Sequence, residues 1–132
     1  MRMNQITLPA TDLAAAVDFY LTLGAIQIVD TPHYARFVCP EGDSSFSLHL
    51  VDAQMLQDSG WRIYFESDRL DAWVEELLQA GLAFESLPRD ERWLWREARL
   101  RDPAGNQVVL FHGGDNRLSP PWRVDIRKNT QA

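Results

Sequence analysis

The sequence predicts an α+β fold built from two similar modules, and two observations support this prediction. The first is an internal repeat, because residues 6–13 align without a gap with residues 63–70. The second is the order of patterns within each copy, which runs strand, helix, strand, strand, strand. We therefore expect one duplicated domain over residues 1–132.

The repeat extends beyond its first strand. Gly24 matches Gly81 at the same spacing, and the turn sequence 40–43 resembles 103–106 at a larger spacing, so the second copy is longer in its middle. Glycine-containing turns and apolar positions in one order favour duplication over chance. The predicted boundaries are module one over about 4–52, module two over about 60–112, and a C-terminal tail over 113–132.

The first module begins with Ile6 and Leu8 alternating with polar residues, as in a half-buried strand. Thr11 or Asp12 can cap the helical pattern that follows, and Gly24 can end it in a left-handed conformation. Three short strands are then predicted over 26–29, 35–39 and 45–51.

The second module repeats this order. A strand is predicted over 61–66, a helix over about 68–80, and Gly81 at the end of the helix. Further strands are predicted near 83–85, 93–101 and 107–111. In the tail, two prolines and Trp122 predict an extended segment that folds back over the domain or over a partner subunit and closes the cleft described below.

Composition excludes several classes of protein. A hydrophobic fraction of 45% excludes a disordered chain. The net charge of −6 and the pI near 4.9 disfavour partners such as nucleic acid or a membrane surface. One cysteine, Cys39, fits a reducing compartment, and we see neither a signal peptide nor a long apolar run. We expect a cytoplasmic domain.

Alternating residues predict that each sheet has one apolar and one polar or aromatic face. Phe46 and Leu48 alternate with Ser47 and His49, and the strand at 61–66 shows the same alternation. The apolar rows should pack against the helices, so the other faces line either a cleft or solvent. Their aromatic residues favour a cleft, because Tyr64, Trp93, Trp95 and Phe111 together are unusual as exposed surface.

Several segments of the sequence resemble those of a known protein family. The segment 6–13, followed by Phe19-Tyr20 and Gly24, and the turn Arg101-Asp102-Pro103-Ala104-Gly105-Asn106 are similar to the vicinal-oxygen-chelate superfamily, which contains glyoxalase, bleomycin-resistance proteins and extradiol dioxygenases. The resemblance covers about residues 4–112. It implies βαβββ modules whose curved sheets surround a cleft, with the helices on the outer face, assembled as a homodimer.

The same resemblance places a divalent metal on four strand positions of the family. They correspond to Gln5, to Ser47 or His49, to Arg62 and to Val109. Arginine offers no lone pair and valine has no donor atom, so at most two ligands remain. We therefore predict no metal and no cofactor.

Arg62 is the clearest candidate for a binding residue, since a guanidinium can pair with a carboxylate or phosphate of a ligand. The alternative is a structural ion pair with Glu66 or Glu97. His49 is the only candidate for a catalytic base, and the alternative for it is an ordinary hydrogen-bonded histidine. Trp93 and Trp95 are predicted to share one strand face, which Glu97 and Arg99 continue, and either stack on a ligand or form core or dimer contacts.

The predicted function is metal-independent binding of an aromatic or anionic small molecule. The predicted ligand-binding residues are Gln5, Thr7, Ser47, His49, Arg62, Tyr64, Trp93, Trp95, Arg99, Val109 and Phe111. Two alternatives remain open: a glyoxalase-like lyase or dioxygenase with a degenerate metal site, and an interaction module whose aromatic face binds protein.

Overall fold

The computed structural model describes residues 2–55 and 60–124. Module one contains strands β1 (Gln5–Ala10), β2 (Ile26–Asp30), β3 (Tyr34–Val38) and β4 (Ser45–Leu50), with helix α1 (Leu13–Leu23). Module two contains strands β5 (Arg62–Glu66), β6 (Ser86–Asp90), β7 (Arg96–Arg101) and β8 (Gln107–His112), with helix α2 (Leu70–Gln79). Short 3₁₀ helices follow each module, at Ala53–Met55 and Gly114–Asn116.

The two modules have the same topology, so the predicted α+β fold of two βαβββ modules is confirmed. Sheet one has the strand order β1-β4-β3-β2 and sheet two the order β5-β8-β7-β6. In each, the first strand pairs with the last in parallel and the other pairs are antiparallel. An irregularity in register recurs at the same place, between β2 and β3 and between β6 and β7.

The caps of α1 agree with the sequence. Asp12 is the N-cap, and its carboxylate accepts a 3.0 Å hydrogen bond from the backbone N–H of Ala15. Gly24 ends the helix with φ +118°, a conformation that favours glycine. Helix α2 starts two residues later than predicted, after Arg69, without a side-chain cap.

One part of module two differs from its prediction. The strand predicted at 83–85 lies at Ser86–Asp90, and the strand predicted from Trp93 begins only at Arg96. Residues 91–95 form the turn between them, in which Leu94 has φ +69° and the Glu91 N–H bonds to the Trp95 carbonyl at 2.8 Å. Trp93 and Trp95 therefore do not share a strand face, because the hairpin has to reverse the chain where the apolar pattern alone predicts a continuous strand.

The two modules share one hydrophobic core. The Phe46 ring of β4 packs edge-on against the Phe65 ring of β5, with centroids 5.4 Å apart, and Tyr20 of α1 lies 6.4 Å from Phe65. Val108 and Leu110 of β8 belong to the same cluster of buried side chains. As predicted, the apolar rows of the strands pack against the helices.

We call the helix-covered side of each sheet its core face and the other side its open face. The open face of sheet one carries Gln5, Thr7, Tyr34, Arg36, Ser45, Ser47 and His49. The open face of sheet two carries Arg62, Tyr64, Glu66, Glu97, Arg99, Gln107, Val109 and Phe111.

Polar contacts between the modules lie beside the core. The Tyr20 hydroxyl donates to Asp102 at 2.7 Å, the Asn106 amide donates to the Pro9 carbonyl at 2.9 Å, and the Trp73 indole donates to the carbonyl of α1 residue Leu23 at 3.2 Å. Both helices in the described part of the chain are too short or too polar to cross a bilayer.

Candidate ligand-binding site

Three aromatic rings form one cluster on the open face of sheet two. The Trp95 indole stacks on the Phe111 ring, with centroids 4.5 Å apart and planes at 22°. The Tyr64 ring stands edge-on to both, 5.6 Å from Phe111 and 6.0 Å from Trp95. Phe111 is only 4% exposed, whereas Tyr64 is 43% exposed. The Tyr64 ring is therefore accessible to a ligand, and its edge-on contacts with Trp95 and Phe111 hold it in place. The fixed rings offer a rigid apolar contact surface.

A buried carboxylate lies beside this cluster. Glu97 is 2% exposed, accepts a 2.6 Å hydrogen bond from the Trp93 indole and pairs with the Arg99 Nη2 at 3.1 Å. The turn at 91–95 brings Trp93 over Glu97, which explains how a charged residue on the open face becomes buried. The Arg99 Nε is also buried and has no hydrogen-bond partner among residues 2–55 and 60–124.

Arg62 lies at the edge of the same face. Its Nε donates to the Gln107 Oε1 at 3.1 Å. The two carboxylates that could pair with Arg62 bond elsewhere. Glu97 pairs with Arg99, and Glu66 accepts hydrogen bonds from backbone N–H groups of the tail. Among the described residues, the Arg62 guanidinium thus has no carboxylate partner.

The beginning of the tail contacts one end of sheet two. The Glu66 carboxylate accepts hydrogen bonds from the Gly113 N–H at 2.9 Å and the Gly114 N–H at 3.2 Å. The Trp95 indole donates to the Asn116 carbonyl at 3.3 Å. Gly113 lies so close to Trp95 that a Cβ there would be 3.1 Å from the indole nitrogen. Trp122 is 57% exposed, and residues 125–132 lie outside the described part of the chain.

A continuous hydrogen-bond network covers the open face of sheet one. The Gln5 Nε2 donates to the Ser47 Oγ at 2.5 Å, and the Ser47 Oγ contacts the Tyr34 hydroxyl at 2.5 Å. The Arg36 Nε donates to the same Tyr34 hydroxyl at 3.0 Å, and the Ser45 hydroxyl donates to the Gln5 Oε1. Ser47 is fully buried, so it forms the centre of this network.

The network makes the Tyr34 phenol more acidic. The Ser47 hydrogen bond lowers the pKa of Tyr34, and the hydrogen bond and charge of Arg36 lower it further, while slight desolvation opposes them. The Arg36 guanidinium carbon also lies 5.4 Å from the centroid of the Tyr34 ring.

The two other candidates on sheet one have exposed side chains. His49 lies opposite Tyr34 in the register of β3 and β4, and Thr7 lies opposite Ser47 in the register of β1 and β4. Neither side chain forms a hydrogen bond with another residue of the described part of the chain.

The four positions at which the family resemblance places a metal do not fit a metal. Gln5 and Ser47 are hydrogen-bonded to each other, Arg62 is a cation without a lone pair, and Val109 has no donor atom. Within 2–55 and 60–124, no three His, Cys, Asp or Glu side chains come together in a way that could hold a metal ion. Because Arg62 and Val109 offer no donor atom, these four side chains lack the ligand set that a divalent metal centre requires.

The candidate residues lie on two different sheets. Gln5 and Ser47 touch on sheet one, whereas Arg62 and the buried Val109 lie on sheet two with the aromatic cluster. No side-chain hydrogen bond, ion pair or ring contact between described residues joins the two open faces. That Gln5, Ser47, Arg62 and Val109 meet around one position in the cleft, as the family resemblance implies, stays a prediction.

Tyr34 and Arg36 are absent from the residues selected by sequence reasoning. A signal was present, because both alternate with the apolar residues Ala35 and Phe37 in a predicted strand. The register that places them beside Ser47 depends on strand pairing, which the local pattern does not contain.

A comparison with protein-family models agrees with the duplicated topology. Residues 2–110 match the model described as the Glyoxalase/Bleomycin resistance protein/Dioxygenase superfamily. The chain belongs to this superfamily. The family resemblance proposed from the sequence is thereby confirmed.

Solved structures of the superfamily have the same fold. A glyoxalase/bleomycin resistance protein from Streptomyces sp. CB03234 is 28% identical, with a TM-score of 0.66 over 82% of this chain and 98% of that chain. A lactoylglutathione lyase from Agrobacterium tumefaciens is 22% identical, with a TM-score of 0.69 over 85% and 93%. A bleomycin-binding protein solved with bleomycin is 18% identical, with a TM-score of 0.66 over 86% and 100%. The last two establish similarity of fold alone.

A comparison with curated proteins finds none that matches this chain.

Proposed function

We propose that the protein binds a small molecule without a metal, and that the ligand combines a planar aromatic group with an acidic group. The observation that supports this proposal most strongly is the aromatic cluster of Tyr64, Trp95 and Phe111 on the same open face as Arg62, a cation without a carboxylate partner among the described residues.

The aromatic cluster accounts for the planar part of the ligand. Trp95 and Phe111 support each other by stacking, so the ring positions are set before a ligand arrives and little side-chain entropy is lost on binding. The exposed Tyr64 ring provides the surface for a planar group.

Arg62 accounts for the acidic part. It lies two residues before Tyr64 on β5, so both side chains point to the same side of the sheet. Its Nε is held by Gln107, which leaves the two terminal nitrogens available for a carboxylate. The carboxylates of Glu66 and Glu97 are engaged by other partners and do not compete for Arg62.

The charge of this face argues against a cationic ligand. The bleomycin-binding structure shows that a member of this fold can hold a small molecule, but an uncompensated arginine repels a cation. We also propose that the protein is a homodimer, as the family resemblance implies, and that it is cytoplasmic, in keeping with its single cysteine. The other predicted binding residues would contribute alongside those above, namely Gln5, Thr7, Ser47, His49, Trp93, Arg99 and Val109.

A comparison of two probes tests the proposal. 1-Naphthoate carries a ring and a carboxylate, whereas 1-naphthamide has the same ring without the charge, and both can be titrated by amide chemical shifts. We expect the naphthoate to bind about tenfold more tightly, which is the usual effect of one charge-assisted hydrogen bond. Arg62→Gln should abolish this difference, and Arg92→Gln, which removes an exposed arginine of the turn, should preserve it.

Three results would contradict the proposal. One is the absence of saturable shifts on sheet two with either probe. Another is equal affinity of both probes for the wild-type protein. The third is a stoichiometric divalent metal in protein purified without chelators, which would support the alternative of a glyoxalase-like lyase or dioxygenase.

A further inference from the structure

We propose that Tyr34 and Arg36 form a second binding site, on the open face of sheet one, that takes an oxyanion such as the carboxylate or phosphate group of a small molecule. The site contains none of the residues of the aromatic cluster, and it does not depend on the function proposed above.

The orientation of the Gln5 amide sets the direction of the hydrogen bonds in this network. The Gln5 Nε2 lies 3.4 Å from the Ile6 carbonyl, which can only accept, and its Oε1 accepts from the Ser45 hydroxyl. Both contacts agree on the same orientation of the amide, with Nε2 facing the Ile6 carbonyl and Oε1 facing the Ser45 hydroxyl. It follows that Gln5 donates to the Ser47 Oγ.

The buried hydroxyl of Ser47 needs an acceptor for its proton. The side chain is fully buried, and a buried hydroxyl without an acceptor costs about 1–3 kcal/mol. The Ser47 oxygen already accepts from Gln5, and its other partner is the Tyr34 hydroxyl. Ser47 therefore donates to Tyr34.

The Tyr34 hydroxyl accepts hydrogen bonds within this network and does not donate to it. Its oxygen accepts from Ser47 and from the Arg36 Nε, which can only donate. The phenolic proton then has no acceptor among the described residues and points to the accessible side. A phenol whose oxygen accepts two hydrogen bonds is a stronger donor than a free one, in line with the lowered pKa of Tyr34.

Arg36 supplies the charge. Its Nε is used by Tyr34, and its two terminal nitrogens have neither a hydrogen-bond partner nor an ion pair in the described part of the chain. In a protein of net charge −6, this arginine beside an outward-pointing phenol is a local site for a negative group. The O–H of Tyr34 and the terminal N–H groups of Arg36 are the donors that a carboxylate or phosphate requires.

Backbone amide shifts and the Nε–H signals of the arginines test this site. Sodium acetate and sodium phosphate are titrated separately at constant ionic strength, with chloride as the reference, so that the two probes distinguish a carboxylate from a phosphate site. We expect saturable shifts over Tyr34–Val38 and Ser45–Leu50 with at least one probe. Tyr34→Phe and Arg36→Gln should each weaken binding about tenfold or more.

A matched variant provides the control. Arg92→Gln removes the same charge from an exposed turn and should leave the affinity for acetate and phosphate at sheet one unchanged. Equal weakening by Arg36→Gln and Arg92→Gln, or shifts that never saturate, would overturn the proposal. Arg36 is partly exposed, so Arg36→Gln keeps the test valid even if Tyr34→Phe disturbs the fold.

Discussion

The Tyr20 hydroxyl of module one donates a 2.7 Å hydrogen bond to the Asp102 carboxylate of module two, although 82 positions separate them in the chain. Both side chains are buried. The other Asp102 oxygen accepts from the backbone N–H groups of Ala104 and Asn106, and the Asn106 amide also bonds to Pro9. The Asp-Pro-x-Gly-Asn turn thus shapes its own loop and also joins the two modules.

Removing the Tyr20 hydroxyl should destabilise the protein. We expect Tyr20→Phe to lower the free energy of unfolding by about 1–3 kcal/mol, because the buried Asp102 oxygen loses a donor. Urea unfolding measures this change. Tyr64→Phe is the matched control and should change stability by less than about 0.5 kcal/mol, since the Tyr64 hydroxyl has no hydrogen-bond partner among the described residues. If both substitutions lowered the free energy of unfolding equally, the Tyr20–Asp102 hydrogen bond would have no specific role in stability.

The Tyr20 phenol should also make stability sensitive to alkaline pH. Burial raises its pKa well above the usual value, and the charge and hydrogen bond of Asp102 raise it further. The folded state therefore retains the Tyr20 proton at a pH at which the unfolded state loses it. The stabilisation of the folded state by the Tyr20 phenol is complete below about pH 10 and is lost progressively as the pH rises above it. The loss is at most about 1.4 kcal/mol per pH unit.

The free energies of unfolding of the wild-type protein and of Tyr20→Phe, measured at several pH values, give the contribution of Tyr20 as their difference. All other ionisable groups are common to both proteins and largely cancel in the difference. The stability advantage of the wild type should shrink as pH rises through 10. An advantage that stays constant or grows would show that Tyr20 ionises as readily in the folded state as in the unfolded one.

Two truncations should show which part of the tail stabilises the fold. Ending the chain at His112 removes the N–H groups that bind Glu66 and the carbonyl that binds Trp95, and we expect a loss of about 1–2 kcal/mol. Ending it at Arg117 keeps these contacts and should cost less than about 0.5 kcal/mol. Thermal unfolding compares both with the full chain. If both truncations are silent, the tail makes no stabilising contact.

The Tyr34 phenol should titrate at a lower pH than free tyrosine. Hydrogen bonds from Ser47 and Arg36 stabilise its phenolate, so its proton is released below the usual value of about 10. The ultraviolet difference spectrum between wild type and Tyr34→Phe reports this step alone. Ser47→Ala and Arg36→Gln should each move the step to higher pH, and an unchanged position in both would contradict the hydrogen-bond direction argued above.

Much of the fold could be predicted because its signals are local. The cap at Asp12 and the end of α1 at Gly24 depend on residues within one helical turn, and the alternation of Phe46 and Leu48 with Ser47 depends on neighbouring positions. Prediction failed at 83–95, where a strand over Ser86–Asp90 is followed by a hairpin turn over residues 91–95. There Leu94 adopts a positive φ that its residue type does not signal.

The candidate site was predictable only in part. Arg62, Tyr64 and Phe111 were identified from alternation, but Tyr34 and Arg36 were missed, and the partners of Arg62 and Glu97 were left open. Whether Glu97 pairs with Arg62 or with Arg99 depends on cross-strand geometry and on the turn that covers it. Local sequence patterns do not contain that information.

The amino-acid order alone therefore determined the duplicated βαβββ modules, the polar and apolar faces of their strands, and the absence of metal-binding donors at Arg62 and Val109. Only the tertiary structure decided which polar groups meet, as with Ser47 and Tyr34 across β3 and β4 or Tyr20 and Asp102 between modules. The physical reason is that alternation and capping act over a few residues, whereas hydrogen-bond partners are chosen by strand register and by packing of distant segments.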